Sequence, residues 1–161
     1  MDAKTLRLTL SLAAVAIVIF LALLWQPARQ VRLHQAHFLK AVGKRNWETV
    51  GQFIAAEYHD RWGHDKENVL AQSAQVFGQF LFCNLQSEER SLVLENGRAT
   101  VGAKLTMGGT GSPIADYAIQ RVNALTEPFV FQWVRKSWKP WDWELTVVDQ
   151  PQLEIPEMRD F

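Results

Sequence analysis

The sequence predicts an α+β domain behind an apolar N-terminal helix, and three observations carry that prediction. An uncharged run fills residues 8–25, helical spacing of apolar residues dominates the first half of the remaining chain, and a period of two dominates the second half. Helices first and antiparallel strands second is the order of an α+β fold with its helices packed on one face of a sheet.

The apolar run is 18 residues long and broken only by Thr9 and Ser11. As a helix it would extend about 27 Å, close to the roughly 30 Å hydrocarbon layer of a bilayer. Trp25 stands at its far end, where an indole favours the headgroup layer, and Pro27 stops it. A cleaved signal peptide would have a shorter apolar core and small residues before the cut, which Leu24-Trp25-Gln26-Pro27 does not supply. The reading is therefore a single-pass membrane anchor in residues 1–28, a domain over 29–152 and a short tail over 153–161. Lys4 and Arg7 on one side balance Arg29 and Arg32 on the other. The common export route of a single anchor then places the body on the extracytoplasmic side.

Val31, Phe38, Val42, Val50, Phe53 and Ile54 predict a helix over 29–54, with Arg32, Gln35, Lys44 and Arg45 on its polar side and a break near Gly43 or Asn46. A tight segment follows over 57–63. Asp65 is the expected N-cap of a helix reaching about residue 80, whose buried face is Val69, Leu70, Ser73, Val76, Phe77 and Phe80. Alternation through Leu92 and Leu94, then Asn96-Gly97, then Ala99 to Met107 predicts a hairpin with a type I′ turn. Gly108-Gly109-Thr110-Gly111 reads as a loop, and Ser112-Pro113 as the start of a short helix through Leu125. Two more strands cover 129–138 and 143–148.

Seventeen basic residues face seventeen acidic ones, which argues against nucleic-acid binding, since that needs a basic surface to displace counterions. Cys83 is the one cysteine, so no disulfide forms within the chain, and a structural thiol is its expected role. His34 and His37 are three apart, and His59 and His64 bracket Asp60, but neither set supplies three converging metal ligands. The glycine-rich segment lacks the Lys-Ser/Thr of a P-loop. No metal and no cofactor are expected.

Two groups of residues are candidates for function. Tyr58, His59 and Asp60 gather acid/base chemistry in three consecutive positions, of which one or two could face a ligand. In the bland alternative, Tyr58 and Trp62 pack inward while Asp60 and Arg61 stay solvated. Trp133, Trp138, Trp141 and Trp143, joined by Phe131, put four Trp into 11 residues, more than one small sheet face needs. Two readings stand: aromatic core packing across the strand pair, or a ligand or partner surface.

The element order, the segment from Glu57 to Asp65 and the aromatic strand pair around Ser137 to Trp143 resemble the nuclear transport factor 2-like (NTF2-like) superfamily, also called SnoaL-like or cystatin-like. That resemblance implies a cone-shaped domain, helices wrapped by a curved antiparallel sheet around a cavity. It also implies a choice between two functions. One is a membrane-tethered, non-enzymatic module for a partner protein or a small apolar ligand, compatible with a homodimer. The other is an isomerase or dehydratase of the ketosteroid isomerase type, which needs a carboxylate on the sheet. The inward positions Phe129, Phe131, Trp133, Trp143, Leu145 and Val147 include no acid, which favours the first.

Overall fold

A computed structural model describes residues 3–154, with the side chains of 9–22 and 25–154. Helix α1 (Ala3–Leu24) precedes α2 (Pro27–Gly43), and Pro27 opens α2 at a position where its missing N–H costs nothing. Every described side chain of α1 from Thr9 to Ala22 is exposed. Among the described residues no single helix is long and apolar enough to cross a membrane; 9–22 passes only together with α2, from which it is bent by 63°. The single spanning helix expected over 8–25 is therefore not supported. Of the tail expected over 153–161, residues 155–161 lie outside the described residues.

The break between α2 and α3 (Trp47–Phe53) falls where it was expected. The residue in the left-handed region is Arg45, φ 58°, and the amides of Arg45 and Asn46 bond back to Val42 and Ala41. Asn46 then caps α3 by accepting from the Thr49 amide at 3.1 Å. Arg45 is exposed on the polar side as expected, and its guanidinium also donates to the Phe80 carbonyl at 2.8 Å. Gln35 does depart from the polar face, because its Oε1 accepts the Trp133 indole N–H at 2.8 Å in the core.

Residues expected to form a tight segment are instead strand β1 (Ile54–Asp60), which runs parallel to the last strand. After it come α4 (Lys66–Phe77), β2 (Phe80–Glu95), β3 (Arg98–Gly111), α5 (Pro113–Ala124), β4 (Phe129–Arg135) and β5 (Trp143–Asp149). The sheet order is β1-β5-β4-β3-β2, so the sheet is mixed and not purely antiparallel as predicted. The glycine-rich segment belongs to β3 and pairs with the start of β2. A bulge in β5 at Thr146 sets Trp133 opposite Leu145 but Gln132 opposite Val147. That slip turns Val148 inward in place of the expected Val147.

The core lies between α2, α3 and the inner face of β3, β4 and β5. Phe38 meets Phe53, Phe131 and Trp133 in edge-to-face contacts with ring centres 6.0–6.3 Å apart. Such pairs each add roughly 0.5–1.5 kcal/mol beyond their buried area. This filled end leaves the opposite end of the layer, under α4 and α5, to form the site.

Candidate functional site

Alternation along β1 sends Tyr58 and Asp60 to the inner face and Glu57 and His59 outward. Asp60 is the acid on the inner sheet face that the sequence reading missed. Its side chain is 1% exposed, and it is an acceptor three times over. Oδ1 accepts the amides of Trp62 at 3.0 Å and His64 at 2.8 Å, closing the turn that follows β1. Oδ2 lies 2.8 Å from Nδ1 of His64. A carboxylate that accepts leaves Nδ1 as the donor, so Nε2 is the ring nitrogen that Asp60 does not engage.

These groups line a cavity of about 340 Å³ between the sheet, α4 and α5. That volume lies within the range of sites for small molecules. Its walls are mostly apolar, with Leu39, Val42, Val69, Leu70, Val76 and Phe131 among them. Burial and the charge of Asp60 hold the Tyr58 phenol well above its ordinary value, so it is a neutral hydrogen-bond donor at physiological pH. Trp62 closes one side, its indole N–H donating to the Leu153 carbonyl at 2.8 Å. The first residues of the C-terminal tail thereby become part of the wall.

Lys66 ties the start of α4 to β1 by donating to the Ile54 carbonyl at 2.7 Å, and Asp65 caps that helix through the Asn68 amide at 2.8 Å. The apolar face expected of α4 exists, yet no α4 residue is fully buried, because that face lines the cavity as well as packing on the core. Helix α5 is clamped to β3 by Asn123, whose amide group both accepts from and donates to the Met107 backbone at 2.8 Å.

Among solved structures, the arrangement is similar to a conserved protein from Planctomyces limnophilus, with a TM-score of 0.57 and 16% identity over 74% of this chain and 91% of that one. It is similar to a candidate dehydratase of the NTF2-like family from Streptomyces avermitilis, with a TM-score of 0.56 and 15% identity over 76% and 93% of the two chains. A cystatin-like domain from Nostoc punctiforme matches with a TM-score of 0.54 and 12% identity over 81% and 79%. The fold is NTF2-like. No family profile and no characterised protein matches the sequence.

Within the NTF2-like domain the sequence candidates separate. Tyr58 and Asp60 share the cavity, whereas His59 points out of it. The aromatic set also divides. Trp133, 0% exposed, and Trp143, 4% exposed, are core residues, the latter donating to the Pro140 carbonyl at 2.8 Å, and Phe131 forms cavity wall. Of the five, only Trp138, 80% exposed, and Trp141, 54% exposed, lie on the surface, and the others follow the packing reading. Cys83 is half-buried, and burial pushes its thiol up. His34 packs edge-on against Phe53 and Trp133 with its Nδ1 2.9 Å from the Gln30 carbonyl.

Two cavity residues were not read from sequence as site residues, His64 having been weighed only as a metal ligand, and each left a signal. His64 follows Asp60 by four positions across a turn, a spacing that lets a carboxylate hold both the amide and the ring. Arg121 occupies the stripe Ile114, Tyr117, Ala118, Arg121, Val122 of α5, at spacings of a single helix face. A charged residue inside an otherwise apolar stripe marks a position that faces something other than solvent.

Proposed function

We propose that the domain binds a small, largely apolar molecule in this cavity, with His64 as the hydrogen-bonding and acid/base group. The observation that carries the reading is the 2.8 Å contact between Asp60 Oδ2 and His64 Nδ1 in an apolar wall. Asp60 fixes the ring and its proton, and Nε2 is left as the acceptor, an arrangement suited to taking a proton from a carbon acid or giving one to an oxygen. Tyr58, as a neutral donor, suits a carbonyl or developing oxyanion. The geometry thus favours the isomerase or dehydratase reading more than the sequence did, because Asp60 is buried beside His64 instead of solvated.

Benzylacetone, an apolar ketone with exchangeable hydrogens beside its carbonyl, tests both parts. Binding should shift the His64 ring signals in NMR titrations. In heavy water the protein should accelerate deuterium uptake at those carbons, and His64→Gln should abolish the acceleration while leaving binding within a few-fold. Binding without any acceleration would leave a carrier or sensor, and unchanged ring signals at saturating ketone would remove the cavity reading.

A second reading, of location, rests on α1 and the exposed tryptophans. The proposal is that residues 8–25 hold the chain at a membrane with the body on the extracytoplasmic side. It is supported by the exposure of every described α1 side chain and by Trp25, Trp138 and Trp141 standing exposed. The turn with Trp138 and Trp141 lies at the end of the domain where α2 begins: Arg135 bonds the Gly97 carbonyl at that end, while Gly43 at the other end of α2 approaches Leu85. Indoles favour the headgroup layer. Carbonate washing should leave the full-length protein with the membrane, and extraction into the supernatant would exclude the tether.

A further inference from the structure

The site as argued so far places its chemistry at β1, yet one cation of the wall takes no part in it. Arg121 is the only lysine or arginine among the described residues that line the cavity. Its Nε is buried and has no hydrogen-bond partner among the described residues. A guanidinium stays charged at any physiological pH and offers donors in a rigid planar fork, so a buried Nε–H without a protein partner, on a residue of the cavity wall, is a donor awaiting an acceptor. The acids of the same wall do not meet that need at Nε. Asp60 is held by two amides and His64, and Glu154 stands exposed on the tail.

We infer that Arg121 makes the cavity selective for a molecule with one carboxylate on an apolar body. The inference rests on the reading of this cavity as a ligand site. Nε–H and a terminal N–H of a guanidinium meet the two oxygens of a carboxylate side-on, in a paired geometry that a hydroxyl or ester cannot match. One lining cation fits one negative charge. A phosphate monoester, with its second charge, would find no further lysine or arginine in the wall. The helix that carries Arg121 is held in advance, because Asn123, two residues on, makes two 2.8 Å bonds to the Met107 backbone. Little ordering of the backbone is then left for the ligand to bring about. The apolar body has the opposite side of the space, where Phe38, Leu39 and Val42 of α2 present only hydrocarbon.

The test compares phenylbutyrate with phenylbutanol, which differ at the polar end alone, on the full-length protein in lipid nanodiscs with arginine Nε labelled by nitrogen-15. Wild type should bind the carboxylate at least roughly tenfold tighter than the alcohol, as expected for a charge-assisted pair, and one arginine Nε–H signal should move on binding. Arg121→Met keeps the length and helix preference of the side chain. It should erase the carboxylate preference while holding the alcohol affinity, and it should remove the moving signal. Arg121→Lys should restore part of the preference, as a point charge without the fork. Equal affinities in wild type, or a preference that survives in Arg121→Met, would overturn the inference and leave the cavity reading standing. Failure of both molecules to bind wild type would remove the cavity reading and this inference together.

Discussion

At Asp60, three donors converge on one buried carboxylate, and the cost of losing it follows from what stays behind. Asp60→Ala would leave the amides of Trp62 and His64 and the Nδ1–H of His64 without an acceptor in a place that water reaches poorly. The expected loss is about 2–4 kcal/mol, well above the effect of removing a solvated charge. Urea unfolding of the variant beside wild type measures it, and a change under about 1 kcal/mol would mean the turn holds without the carboxylate. Tyr58 gives a pH signature of the same site. Its phenol is raised from the ordinary 10.0 by burial and by Asp60. Below pH 10 both folded and unfolded chains keep the proton, so this residue contributes no slope. Above it the unfolded chain releases a proton that the folded chain retains, and stability falls as pH rises. The midpoint of urea unfolding should therefore drop between pH 10 and 11 more steeply in wild type than in Tyr58→Phe.

The β2–β3 hairpin and β1 differ in how far the chain must reach to explain them. The hairpin is local: Asn96 at φ 46° and Gly97 at φ 76° adopt the paired positive angles that Asn-Gly announces, and Glu95 pairs with Arg98 directly. Gly97→Val should cost about 1–2 kcal/mol through strain alone, because an added Cβ would touch nothing. Gly109 should be costlier for a different reason: a Cβ there would lie 2.1 Å from the Phe82 carbonyl oxygen across the β2–β3 pair. Gly109→Ala should destabilise by more than Gly97→Val, and thermal melts of the two order them. That close approach is also why a glycine-rich stretch that looks like a loop is strand. Strand β1 was illegible because its partner β5 lies about ninety residues downstream, and parallel pairing leaves no turn between the strands as a marker. Once β1 is taken for a loop, the alternation that turns Tyr58 and Asp60 inward is lost, and the acid on the sheet disappears from view. The bulge at Thr146 has the same character, since a one-residue slip exchanges Val147 for Val148 without any glycine to signal it.

For the molecule as a whole, the apolar pattern tells which side chains face inward but not where they fail to meet. Phe38, Phe53, Phe131 and Trp133 close on one another, whereas the equally apolar faces of α4 and α5 stop short and leave about 340 Å³. A space of that size forfeits dispersion contacts along its walls, so a chain under selection for stability alone would fill it. Ala118 is the place to fill it from: it sits in the cavity-facing stripe of α5, on a helix already clamped to β3, and leucine is a helix former second only to alanine. Ala118→Leu should raise stability by about 0.5–2 kcal/mol through added apolar contact. It should also weaken benzylacetone and phenylbutyrate binding at least roughly tenfold, because each needs the volume that leucine takes. Urea midpoints and the NMR titrations already described read the two effects on one sample. A variant that is more stable and still binds both molecules would show that the ligand lies elsewhere. A variant that is less stable would show that α5 already packs tightly enough on α4 to leave no room beside residue 118.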